Sequence, residues 1–188
     1  LVDLARAQGD ASQLVLSLKN HGNTYRFLGC YSMSLSIWQQ ALSVARQHHL
    51  DWLEMMINGE IAFLRSTTGD LDQAYHLIVA VRRQLADSAN DPSLLDYQYA
   101  HILARRGELA EARRIAQQLL ARLRPQAVDY PPHILCSLNL LVQIHWQSGA
   151  LSEALIGVNE IVTILESYPR VTMPIVEWEI FDIYFTCY

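Results

Sequence analysis

The chain has 188 residues, 51% of them hydrophobic and 18% charged, with a formal net charge of −5. That composition buries a core and excludes a disordered chain, and the acidic balance excludes a general nucleic-acid binder, which carries a basic face. No apolar run reaches the length of a membrane span and no signal-peptide pattern is present, so the sequence predicts neither a membrane partner nor export.

Four glycines punctuate the chain in one recurring phrase. Each is followed two residues later by a larger, mostly apolar residue and five later by a small one: Gly29, Tyr31, Ser34; Gly69, Leu71, Ala74; Gly107, Leu109, Ala112; Gly149, Leu151, Ala154. The glycines lie 40, 38 and 42 residues apart. A period of this size marks a helical repeat array. Read in chain order, the pattern predicts helices over residues 11–28, 31–48, 51–68, 71–87, 92–106, 109–124, 131–148, 151–167 and 174–187. Each glycine suits the left-handed position that ends the first helix of a pair. Asp70 and Ser152 stand where they can cap the second. Pro92, Pro131 and Pro132 fall at helix starts and Pro169 falls in a connector, and no stretch alternates with period two, so no sheet is predicted.

Apolar residues recur at steps of three and four along the second helices. Leu71, Ala74, Ile78, Val81 and Leu85 form one such stripe, Leu109, Ala112, Ala116, Leu119 and Leu123 another, and Leu151, Ala154, Val158, Ile161 and Leu165 a third. The small residue of each phrase lets two helix axes approach closely. The fold class expected is all-α: a right-handed helical-repeat solenoid of four hairpins, at 11–48, 51–87, 92–124 and 131–167, plus a C-terminal helix at 174–187. The chain opens on Leu1 in mid-pattern and ends on an aromatic segment, so it reads as one repeat domain cut from a longer protein.

The first hairpin, with Gly22, Tyr25, Gly29, Tyr31, Ser34, Trp38 and Ala41, resembles the tetratricopeptide repeat (TPR). Ala62, Gly69, Leu71, Ala74 and Ile78 carry the pattern in the second; Ala100, Leu103, Gly107, Leu109, Ala112 and Ala116 carry it in the third. The fourth has Val142, His145, Gly149, Leu151, Ala154 and Val158, with Val142 in place of the small residue and His145 in place of the aromatic; Arg65 replaces that aromatic in the second. The period near 40 exceeds the TPR value of about 34. It is similar to that of the regulatory arrays of MalT-like bacterial activators. The resemblance implies a scaffold that binds protein partners, in a cytosolic regulatory or signalling protein involved in transcription control.

Chemistry is sparse. The sequence has no phosphate loop, no metal-binding histidine pair at helical spacing, no CxxC and no nucleophile elbow, so no catalytic residue, cofactor or metal is expected. His101 and His145 sit one repeat apart, and two ligands without a third make a poor zinc site. Cys30, Cys136 and Cys187 are odd in number and far apart, which predicts reduced, mostly buried thiols and a cytoplasmic compartment. Glu54, Glu60, Glu177 and Glu179 read as helix-face charge.

What remains is a recess. In TPR arrays the first helices line the inner face, and helical projection puts Lys19, Asn23, Arg26, Gly59, Phe63, Tyr97, His101, Arg105, Asn139, Gln143 and Trp146 there. Aromatics, amides and cations together suit an extended peptide or a small polar ligand. Arg26 and Arg105 offer a carboxylate a planar fork, and Asn23 and Asn139 match a peptide backbone. Two functions follow: a non-catalytic module that binds a peptide or helix in its concave groove, or a small-molecule effector sensor. Six arginines between residues 105 and 124 give that stretch a charge of +4, read as a solvated helix face or as a stripe for an acidic partner. The terminal aromatics Trp178, Phe181, Tyr184, Phe185 and Tyr188 await a further helix, a partner or a second copy of the chain.

Overall fold

The computed structural model describes residues 2, 9–86, 90–126 and 131–167. Eight α-helices are present among them: α1 (Ala11–Phe27), α2 (Tyr31–Gln47), α3 (Asp51–Thr67), α4 (Leu71–Ala86), α5 (Ser93–Arg105), α6 (Leu109–Leu123), α7 (Pro131–Gln147) and α8 (Leu151–Ser167). A short 3-10 turn follows α6 at Arg124–Gln126. The architecture is an all-α helical repeat with no strand among the described residues, and the helix ends fall within one residue of those predicted. The predicted helix at 174–187 lies outside the described residues.

The glycine turns have one geometry. Gly29, Gly69, Gly107 and Gly149 have φ of 73°, 98°, 84° and 75°. Each closes its helix with two reversed backbone bonds. At the first, Gly29 N–H donates to Arg26 O (3.0 Å) and Cys30 N–H donates to Tyr25 O (2.9 Å). The same pair recurs at Gly69 and Asp70, at Gly107 and Glu108, and at Gly149 and Ala150. A left-handed residue followed by this 6→1 and 5→2 pair is the Schellman motif, and glycine holds it without strain. A fifth copy joins α2 to α3 on His49, at φ 53°, where no glycine advertises it.

Helix starts differ from expectation in one place. Asp10 and Asp70 cap α1 and α4 through Oδ1 to the N–H groups of Gln13 and Gln73. Ser152, by contrast, lies inside the first turn of α8, and the residue before that helix is Ala150, which has no capping oxygen. Because the Schellman turn consumes Gly149 and Ala150, α8 begins two residues sooner than a Ser152 cap requires.

The chain divides into two compact units, residues 1–102 and 103–188. In the first unit α1 packs on α2, α2 on α3 and α3 on α4, with α1 also touching α3. One core cluster joins Val15 and Leu18 to Ile37, Trp38, Ala41 and Ala45 and to Ile57, Ile61 and Leu64. A second joins Met55 and Ala62 to Ala74, Ile78, Val81 and Leu85 and to Leu95 and Ile102. The small residues do what their size suggests: Ser34 is fully buried, and its hydroxyl donates to Gly22 O at 2.8 Å. Trp38 is fully buried against Gly22, and its Nε1 donates to Lys19 O at 3.1 Å. In the second unit α6 packs on α7 and α7 on α8. Ile115, Leu119 and Leu123 are buried on α6, and Leu135, Leu138, Leu140 and Ile144 on α7.

The fourth hairpin inverts a size rule kept by the other three. Seven residues before the turn glycine stand Gly22, Ala62 and Ala100, and eight after it stand Ile37, Leu77 and Ile115. In the fourth those positions hold Val142 and Gly157. A Cβ on Gly157 would lie 2.6 Å from Val142 Cγ2. The bulk has moved from α8 to α7, and the glycine is the hole that receives it.

Of the cysteines, Cys30 is exposed and Cys136 partly buried, while Cys187 lies outside the described residues. The expectation of buried thiols fails at Cys30 because it occupies the Schellman turn after α1, on the surface.

Candidate functional site

Seven of the residues expected in the recess belong to the first unit, Gly59 among them, and they come from three helices. Lys19, Asn23 and Arg26 are spaced four and three apart on α1. Phe63 lies on α3, and Tyr97 and His101 lie one turn apart on α5. The guanidinium of Arg26 stacks over Phe27 with its Cζ 4.2 Å from the ring centroid, and stands 5.5 Å from the ring of Phe63. Phe63 in turn lies 4.5 Å from His101 and 6.1 Å from Tyr97, centroid to centroid. A cation within about 6 Å of a ring face gains about 0.5–2 kcal/mol, more as water is excluded. The row therefore runs unbroken from α1 through α3 to α5.

Phe63 is buried and forms the floor of that row. Around it two polar atoms are buried without a hydrogen bond: Asn23 Oδ1, an acceptor, and Arg26 Nε, a donor. Leaving such an atom unpaired costs about 1–3 kcal/mol. The close approach of α3 to α5 depends on Gly59, whose missing side chain leaves room for Leu95 and for the Gln98 amide oxygen.

Sequence reasoning missed Glu60. Read as ordinary surface charge, it is 6% exposed, and its carboxylate faces Lys19 Nζ at 3.7 Å, with only 13% of the lysine side chain accessible. The signal was available: Glu60 precedes Phe63 by three residues, which places it on the same face of α3. Glu54 is helix-face charge, partly exposed and paired with Arg46 at 2.7 Å.

The remaining expected residues belong to the second unit. Arg105 ends α5 with its side chain exposed. Asn139 is buried, Gln143 is half-buried and Trp146 is 69% exposed, and their spacing sets them along one face of α7. Trp146 makes no ring contact with another described residue.

Among the described residues no group of three or more histidine, cysteine, aspartate or glutamate side chains could hold a metal ion. No described helix is long and apolar enough to cross a membrane. Most arginines between residues 105 and 124 are engaged locally: Arg106 with Glu108, Arg114 with Glu111, Arg124 with Glu160, and Arg113 with the Ser148 hydroxyl. The solvated-face reading describes them. The terminal aromatics, Trp178 to Tyr188, lie outside the described residues.

No protein-family model matches the sequence, and no curated protein does. Among solved structures the chain is similar to a Podospora anserina protein of the kinesin light chain type, built of nearly identical TPR-like repeats. The two share 17% sequence identity at a TM-score of 0.56, over 84% of this chain and 77% of the other. With the Schellman-closed hairpins and the buried small residues, this places the chain in the TPR-like helical-repeat fold.

Proposed function

We propose that this chain is a non-catalytic protein-interaction module that receives an extended peptide on the face built by α1, α3 and α5. The observation that carries the proposal is the pair of unsatisfied atoms on α1. Asn23 Oδ1 accepts and Arg26 Nε donates, and both are buried with no partner. A peptide offers one N–H and one C=O per residue and supplies both partners, while the Phe63 floor takes an apolar side chain. The resemblance to regulatory repeat arrays adds that the module serves a cytosolic regulator.

The test is a peptide-display selection against the full chain. Affinity of the selected binders is then measured for Asn23→Ala, Arg26→Ala and Phe63→Leu, with Gln84→Ala on the exposed side of α4 as control. Losses of about tenfold or more at Arg26 are expected, as for other hot-spot arginines. Binders that tolerate all three changes refute the assignment.

A further inference from the structure

The exchange of bulk at Val142 and Gly157 has a surface consequence. Where the other hairpins carry Ile37, Leu77 and Ile115, the fourth carries no side chain and Val142 fills the place its Cβ would take; beside that contact a cleft of about 330 Å³ lies between α6, α7 and α8. Leu138, Leu141 and Val142 contribute apolar lining from α7, Leu120 lines the α6 side, and Ile156 and Gly157 line the α8 side. The cleft lies wholly within the second unit and shares no residue with the row around Phe63.

Two features define what fits. The first is charge. Arg124 and Glu160 both line the cleft and neutralise each other, with Nη2 donating to the two carboxylate oxygens at 2.8 and 3.0 Å. That leaves Glu153, which lines the cleft together with His145 and has no ion-pair partner among the described residues, so with histidine counted neutral the formal charge of the lining is negative. The second is extent. Ile156 is 66% exposed and its neighbour Leu155 is 61% exposed, so apolar surface continues from the cleft onto α8. A small molecule filling the cleft leaves that surface wet, whereas a polypeptide covers both.

We propose that this cleft is a second binding site, which takes a bulky apolar side chain of a protein partner with a basic residue beside it. The apolar side chain occupies the space over Val142 and Gly157, and the basic residue reaches Glu153. This inference is independent of the peptide face on the first unit.

The probe is a blocked Arg-Trp-Arg peptide titrated into the full chain and followed by methyl NMR, with Glu-Trp-Glu and Arg-Ala-Arg alongside. Arg-Trp-Arg shifts the methyl signals of Leu138, Val142 and Ile156. Replacing its tryptophan by alanine weakens binding at least tenfold. Glu153→Gln weakens it about two- to fivefold, as expected for an exposed ion pair. The double variant Val142→Ala, Gly157→Ile puts the bulk back on α8 and abolishes the shifts; its helical ellipticity is checked, and if it does not fold, Glu153→Gln and the alanine peptide decide. The proposal is overturned by equal binding of Glu-Trp-Glu, or by shifts confined to the first unit. It is also overturned by contacts in the free chain between the Ile156 methyls and the rings of residues 168–188, which make the chain its own occupant. Concentration-dependent shifts at these methyls without peptide, which make a second copy the occupant, overturn it equally.

Discussion

The Val142–Gly157 contact makes a quantitative prediction about coupling. Gly157→Ala places a Cβ 2.6 Å from Val142 Cγ2, where ordinary contact begins at 3.4 Å. Both atoms belong to helices, so neither backbone yields freely, and overpacking of this kind costs about 1–3 kcal/mol. Alanine recovers about 1 kcal/mol of helix propensity over glycine. The single variant is therefore destabilised by up to about 2 kcal/mol. Val142→Ala removes two methyl groups from a side chain that is 9% exposed, a loss of about 1–3 kcal/mol. In the double variant the clash is gone while the propensity gain stays, so it is more stable than Val142→Ala alone by about 1 kcal/mol. The coupling energy is then about 1–3 kcal/mol in favour of the pair, measured as a double-mutant cycle by urea denaturation followed at 222 nm. Changes that add to within about 0.5 kcal/mol would show that the two side chains do not share one space, and the size exchange would be coincidence.

Three further predictions rest on single contacts. His49 holds a left-handed φ of 53° at the turn between α2 and α3, so His49→Gly stabilises the protein by about 1 kcal/mol and raises its melting temperature by about 2–4 °C; an unchanged or lower melting temperature contradicts this. Gly22→Ala drives a methyl into the fully buried Trp38 ring and costs more than the propensity gain of about 1 kcal/mol returns, so calorimetry finds a lowered melting temperature; a variant as stable as the parent chain contradicts the close packing of α1 on α2. Arg82 donates from Nε and Nη2 to the buried carboxylate of Asp96, at 3.2 and 2.8 Å, and stacks 4.3 Å from the Tyr99 ring centroid. Arg82→Ala costs about 1–3 kcal/mol in denaturant titrations, whereas Arg124→Ala at the exposed Glu160 pair costs under about 1 kcal/mol.

The helical pairs were legible because their signals are local. A glycine at each left-handed turn, a small residue five positions on and apolar steps of three and four are each set by backbone geometry within one hairpin. His49 escaped notice for the same reason in reverse: a turn that tolerates its strain leaves no compositional mark. Ser152 misled because a capping residue is recognised by type, while the register of the turn decides who occupies the cap. The residues around Arg26 and Phe63 could be projected from helical period alone, since one side of a helix is fixed by spacing. The same spacing puts Glu60 on the face of Phe63, but its burial depends on Lys19 of another helix and so is not set by α3 alone. The cleft at Gly157 was half visible: Val142 stood out as too large, but only its contact with the glycine shows that the two departures are one.

Every glycine turn between paired helices spends its own peptide groups on itself, the N–H of the glycine and of the residue after it going to carbonyls of the helix just ended. These amides are consequently poor handles for any visitor approaching the hairpin tips, since they cannot be borrowed without unwinding a turn. Attachment there would have to rely on what the side chains offer, and at the first tip that means the exposed Leu28, Tyr31 and Met33. The same self-sufficiency lets the tips vary in sequence at little cost to the scaffold, provided the glycine stays.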